Sequence, residues 1–397
     1  MAWAIPDIPN LFSKPVRSKW NRISVWLAGL GLLYLLITPS VWLLWSGSSD
    51  SVLFWLLLLL SPLLIWFGTW LTFFIWTMNR EMSLKAWEQE KIKIRQRWID
   101  WAQKTIAVVG SDLLLPDDID VEGILTGRGK VLMGSASVFE RNDELPDSLS
   151  EIYTAFWAES LPLFKQAKKS TIYIEESSET DFLEWQNRLR SIAEQSGVLQ
   201  QAEMAFVQVS SGLGLIADWM ENGISEGVHV IFSAALNDDA DSPDITENMS
   251  WTAFASHDWA KKHTLPVKML MQRPTSFNLS DKEGALSALS QFVDYGLKGR
   301  TVKTLWPAGM EEGKAGKLSG YMGKVKLELS HEDNNIAMHL PEKYIGNVPP
   351  NMPLLVLALS SENINYQDKQ LLAWQAGEDE VCLTYVYMDN PSPSPIA

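Results

Sequence analysis

Two long apolar runs, Ser24–Trp45 and Val52–Thr77, dominate the first 104 residues and fix much of what this chain can become. Neither run contains Asp, Glu, Lys, Arg or His, and only Ser46–Ser51 separates them. At ~1.5 Å rise per residue each helix is about 33 Å or longer, enough for a hydrocarbon core of roughly 30 Å. A buried core helix has no need of such uncharged length, and a signal peptide has a shorter apolar region followed by a cleavage site. The expectation is a transmembrane hairpin with spans at 24–45 and 52–77.

The flanks set its orientation. Lys14, Arg17, Lys19 and Arg22 precede the first run, and Arg80, Lys85, Lys91, Lys93, Arg95, Arg97 and Lys104 follow the second. The connecting loop carries only Asp50. Positive charge stays on the cytoplasmic side, so both termini are expected in the cytoplasm of a bacterial inner-membrane protein. Uncharged spans with almost no external loop fit an anchor rather than a receptor or an ion path.

Charge changes sign after the anchor. Residues 1–104 carry 11 basic and 6 acidic side chains, whereas 105–397 carry 22 basic and 42 acidic ones, a net of −20. A domain this acidic is a poor nucleic-acid binder, because phosphate contacts need clustered Lys and Arg. The single cysteine, Cys382, cannot form an internal disulfide and lies in the strand-like run Val381–Tyr387, where it reads as core filler.

Short apolar runs alternate with amphipathic segments through the rest of the chain. Strands are expected at Thr171–Ile174, Ala205–Val209, Val228–Ala235, Val267–Met271, Val302–Trp306, Leu354–Ala358 and Val381–Met388. Capping boxes at Ser148–Glu151 and Ser280–Glu283 open two of the expected helices. The fold class is α/β with a mainly parallel or mixed sheet, covered by helices and divided into two subdomains. The expected layout is a basic N-terminus (1–23), the hairpin (24–77), a basic juxtamembrane helix (78–104), subdomains at 105–240 and 241–389, and a disordered Pro/Ser tail (390–397).

Chemistry-bearing motifs are few. Gly212-Leu-Gly214-Leu-Ile-Ala217 follows a strand and fits the glycine pattern of a dinucleotide turn, with Asp238 at the end of the next strand as the ribose ligand. Gly212, Gly214, Ala217 and Asp238 are therefore the cofactor-binding candidates, although glycines at a strand-to-helix turn also serve geometry alone. Gly309–Lys324 reads as a mobile loop lacking the Walker spacing. His229 sits inside a strand run, and neither His257 and His263 nor His331 and His339 share a metal-ligand spacing. No catalytic residue, metal site or cofactor is assigned on this basis.

The layout, with the segment Phe254–Gln272, resembles the membrane-anchored α/β adaptor proteins found beside type VI secretion effectors. That resemblance implies a non-enzymatic accessory protein whose acidic cytoplasmic domain binds a protein partner, a secreted effector or secretion component, as adaptor or immunity protein. The alternatives are a membrane-tethered nucleotide-dependent enzyme built on Gly212–Ala217, or a structural component of an envelope machine.

Overall fold

In the computed structural model the described residues are 3, 5–9, 23–132, 134–140, 155–157, 162–164, 166–167, 169–176, 179–196, 203–208, 212–237, 243–329, 337–347, 349–365 and 367–388. They divide into two units, Pro6–Arg97 and a second formed by Met1–Ile5 with Trp98–Ala397.

The first unit is helical. Helix α1 (Ile23–Leu44) and the first half of α2 (Val52–Ala102) are both long and apolar enough to cross a membrane. They run antiparallel, with Trp66 Nε1 donating to the Trp26 carbonyl at 2.8 Å and Tyr34 to that of Leu59 at 2.8 Å. Pro39 and Pro62 lie inside these helices. Most of the apolar side chains point outward: Leu35 is 74 % and Leu43 86 % exposed.

The second unit is built on one ten-stranded sheet. Its strands are β1 (Thr105–Leu114), β2 (Ser170–Glu176), β3 (Glu203–Gln208), β4 (Val228–Ala235) and β5 (Asn248–Ala255), then β6 (Met269–Gln272), β7 (Thr275–Asn278), β8 (Thr304–Ala308), β9 (Lys369–Gln375) and β10 (Glu380–Tyr387). The order is β3-β2-β4-β5-β1-β6-β10-β9-β8, with β7 also on β10. The sheet is mixed. Among the described strands β2–β3, β2–β4 and β8–β9 pair parallel and the other six pairs antiparallel, so the mainly parallel alternative gives way to an antiparallel majority.

This order contains a duplication. In the first half the spatial sequence is β3-β2-β4-β5-β1, with the first two pairings parallel and the last two antiparallel. In the second half, β8 pairs parallel to β9, β9 antiparallel to β10, and β10 antiparallel to the broken strand β6–β7. The equivalent of β3 is a short parallel bridge, Leu305 to Met338, continued by Leu305 N to Ala337 O at 3.0 Å and His339 N to Leu305 O at 2.9 Å. The halves join across an antiparallel pairing of β1 with β6, from Thr105↔Gln272 to Val108↔Met269. Ser256 to Lys268 links them, downstream of the acidic stretch 238–247.

Around the sheet lie α3 (Val121–Thr126), α4 (Glu179–Ser196), α5 (Gly212–Asn222), α6 (His257–Lys262), α7 (Lys282–Gln291), α8 (Glu312–Lys324), α9 (Glu342–Ile345) and α10 (Met352–Asn363). A π-helical turn, Phe292–Leu297, extends α7. Helices α5 and α10 each follow the third strand of their half. Leu213, Ile216, Trp219 and Met220 from α5 share one core with Met352, Leu354, Leu355, Val356, Leu357 and Leu359 from α10. The expected strand Leu354–Ala358 is thus a helix. Buried on every side, α10 has no polar face to impose a 3.6-residue rhythm, so its sequence mimics a buried strand.

Two local expectations shift. Asp281, not Ser280, caps α7, its side chain accepting from Gly284 N at 3.0 Å while Ser280 donates to Asp379. Gly309–Lys324 is a turn followed by α8 rather than a mobile loop. The Ser148 box, His331 and the tail 390–397 fall outside the described residues.

The chain's first residues belong to this second unit. Trp3 is 6 % exposed, donates to the Pro274 carbonyl at 2.9 Å, and packs edge-on to Trp101 with ring centroids 5.7 Å apart. Arg273 stacks over the other face of this cluster, 4.2 Å from the Trp101 ring, and binds Glu221. The chain therefore leaves the unit after Ile5 and rejoins it at Trp98 beside its point of departure.

Candidate functional site

Parallel strands gather their carboxyl ends on one side of a sheet, which is where open α/β sheets place ligands. In the second half, β8 ends at Ala308 and the parallel bridge lies at Met338. Between these ends lies a cavity of about 380 Å³ lined by Gly134, Gly309, Met310, Glu311, Glu312, Leu340, Glu342, Lys343 and Gly346. Its volume falls at the lower end of the roughly 300–1,000 Å³ usual for small-molecule sites.

Three glycines shape the walls. Gly134, Gly309 and Gly346 have φ of 77°, 62° and 91°, a region L side chains rarely adopt. At Gly346 space is limiting as well, since a Cβ there would collide with the Ser135 carbonyl. This close approach lets a strap carrying Leu132 and Ser135 cross α9: Leu132 N donates to Lys343 O at 2.8 Å and Asn347 N to Ser135 O at 2.7 Å. Tyr344 adds a bond to the Gly127 carbonyl at 3.0 Å.

Glu342 is the chemically distinctive side chain. It begins α9 and turns back so that Gly309 N donates to its Oε1 at 2.9 Å. Burial lifts its carboxyl to about 7, despite the N–H groups of Glu342, Gly309 and Met310, which favour the charged form. A carboxyl titrating near neutrality inside a cavity suits proton transfer. Lys343 sits 3.6 Å from Glu312 at the mouth, an exposed pair.

His339, just upstream, is buried and stacked on Trp306 with centroids 4.1 Å apart. Burial holds its imidazole down at about 4, so it is neutral at physiological pH. His229 is likewise buried in β4, with Ser225 Oγ 3.0 Å from Nε2 and Tyr173 Oη 3.4 Å from Nδ1; burial lowers its basicity. His263 stacks on Trp259, while His257 starts α6. Burial pushes the Cys382 thiol on β10 up to about 11, which leaves almost no thiolate at neutral pH.

A second cavity of about 430 Å³ lies beside a bulge in β1, near Ser111, Trp251, Lys268 and Glu362. Lys268 Nζ contacts Ser111 O at 3.1 Å, Ser111 Oγ at 3.4 Å and Glu362 Oε1 at 2.9 Å. Its three N–H directions are occupied, so it serves as a strut between β1 and α10.

The glycine motif occupies the start of α5: Gly214 is exposed, Ala217 half-buried, and Asp238 lies outside the described residues. The strands on either side of α5 are not neighbours, because β2 lies between β3 and β4. A dinucleotide turn joins a helix to adjacent parallel strands, so α5 departs from that arrangement. Glu342 belongs to no motif. Only the fold, which buries its carboxyl against the β8 turn, reveals it.

No protein-family model matches the chain, and no curated protein matches it in sequence. Solved structures match in shape. The ketosynthase from module 6 of the bacillaene synthase of Bacillus subtilis 168 superposes with a TM-score of 0.51 at 9 % identity, over 73 % of this chain and 71 % of that one. A type II PKS acyl-carrier protein in complex with its ketosynthase gives 0.50 at 11 % identity, over 72 % of this chain and 99 % of that one.

The fold is that of the ketosynthases.

This corrects the expectation drawn from Phe254–Gln272. That segment is the end of β5, α6 and β6, the crossover between the halves of a ketosynthase-type fold, and not the signature of a type VI secretion adaptor. The reading as a non-enzymatic adaptor or immunity protein for a secreted effector falls with it, because the shape matched is that of enzymes. The envelope-component and nucleotide-enzyme alternatives gain nothing specific from these neighbours.

Proposed function

We propose that this chain is a membrane-attached enzyme in which Glu342 gives and takes a proton during acyl chemistry on a small substrate held at the carboxyl end of β8. The observation that carries this reading is a carboxyl raised to about 7 inside a preformed cavity with Met310 and Leu340 on its walls. The acyl class is suggested by the ketosynthase neighbours, one of which was solved with an acyl-carrier protein. A carrier protein is accordingly the partner class this reading admits. The high pKa of Cys382 argues against it as the nucleophile, which leaves water or a second substrate as the attacking group.

The anchor is α1 and the apolar half of α2, crossing a bacterial inner membrane as a hairpin with both termini cytoplasmic. Their outward-facing Leu side chains support it, as do the basic flanks. So does Trp3: with residues 3 and 98 held in one unit, the excursion between them crosses an even number of times.

The test is turnover. Full-length protein in nanodiscs is assayed for thiol release from short acyl thioesters between pH 5 and 9. The expected result is a rate that inflects near pH 7 in the wild type and is at least about 100-fold lower in Glu342→Gln, the range of general acid–base contributions. Equal rates in the two proteins, or no turnover by the wild type, would overturn the assignment.

A further inference from the structure

The charge pattern around this cavity carries the argument to substrate class, resting on the reading of Glu342 as the site. Oε1 of Glu342 accepts from Gly309 N, and the carboxyl lines the cavity. A protonated carboxyl among apolar walls is a strong donor in need of an acceptor. The mouth is acidic: Glu311 and Glu312 line it, and the one cation among the described lining residues, Lys343, is 3.6 Å from Glu312. Arg128 and Lys130, ahead of the strap, are exposed and do not line the cavity, and the imidazole of His339 is uncharged. An anionic ligand meets repulsion at the mouth, and below pH 7 a cationic one meets a carboxyl that burial keeps protonated.

From this juxtaposition we infer that the cavity selects an uncharged carbonyl compound with a short apolar chain, its carbonyl oxygen accepting the hydrogen bond from Glu342, and discriminates against free acids and amines of the same length. The donor form alone is competent, so apparent affinity follows the protonated fraction of Glu342.

The experiment measures binding without turnover. Full-length protein in nanodiscs is titrated by ligand-observed NMR with 2-heptanone, hexylamine and hexanoate from pH 6 to 9. The expected order places the ketone first, with its affinity falling about a hundredfold by pH 9 as the donor form is lost. Glu342→Gln, which keeps an N–H donor, holds the ketone with little pH dependence, while Glu342→Ala weakens it at every pH. Hexylamine or hexanoate binding equal to the ketone at pH 6, or ketone binding indifferent to Glu342→Ala, would each overturn the inference. Selective ketone binding in a protein without thioester turnover would leave the inference standing and remove the enzymatic reading instead.

Discussion

Two carboxylates flank the same strap, and they are held in opposite ways. Glu247, fully buried before β5, accepts from Phe139 N at its Oε2 and from Asn237 N at its Oε1, both at 2.9 Å. Its own N–H binds the Ser137 carbonyl at 2.8 Å, and the neighbouring Thr246 hydroxyl reaches Ile345 O at 2.6 Å. Glu342, at the other end of the strap, accepts from Gly309 N at 2.9 Å and lines a cavity. Burial alone does not make a functional carboxylate. With a backbone donor on each oxygen Glu247 clasps two segments together, whereas Glu342 lines open space and burial lifts its carboxyl to about 7.

This contrast predicts a graded set of outcomes. The largest effect belongs to the clasp. Glu247→Ala orphans two backbone donors and is expected to destabilise the second unit by on the order of 3 kcal/mol, read by denaturant unfolding. A cost below about 1 kcal/mol would remove the distinction between the two sites.

Glu342 should act through pH. Its folded value near 7 lies above the ordinary 4.5, so between those values the folded state holds a proton that the unfolded chain releases. Stability therefore falls as pH rises through this window and levels off above 7. Glu342→Gln should abolish the decline, raising stability at pH 8 relative to wild type by on the order of 1–3 kcal/mol. His339 works in the reverse direction. Its folded value near 4 lies below 6.5, so stability is full above 6.5 and is lost as pH falls toward 4. His339→Phe keeps the stack on Trp306 and should flatten that acid limb, seen in Tm between pH 4 and 6.5.

The smallest effects test the walls. Gly134→Ala meets no neighbour and is expected to cost about 1 kcal/mol for its positive φ alone. Gly346→Ala adds the collision with Ser135 and should exceed it, with loss of ketone binding. Equal costs at the two glycines would show that the strap does not need its close approach.

Much of the architecture was legible in sequence, and α10 shows why the rest was not. Val228–Ala235 reads as a strand and is β4, and α1 and α2 begin where the apolar runs begin. Helices α1 and α10 are both apolar around their circumference, yet Leu35 on α1 is exposed whereas Leu355 and Leu357 on α10 have no exposure. Length separates them: 22 residues reach roughly 33 Å, whereas 12 reach only about 18 Å. Strands β1 and β5 hide behind serines and threonines such as Ser111, Ser250 and Thr252, buried polar positions that blur an apolar run. The duplication is invisible because its partners, 170–196 and 304–324, share pairing geometry rather than residues. Glu342 was beyond reach for a related reason. Its chemistry comes from the Gly309 turn, 33 positions away.

The chemistry of this cavity turns on one proton. Carbon-13 NMR of the full-length protein labelled at glutamate side-chain carboxyls, with Glu342→Gln assigning the resonance, follows that proton directly. The account predicts a midpoint near pH 7 for Glu342. A midpoint near the ordinary 4.5 would contradict it.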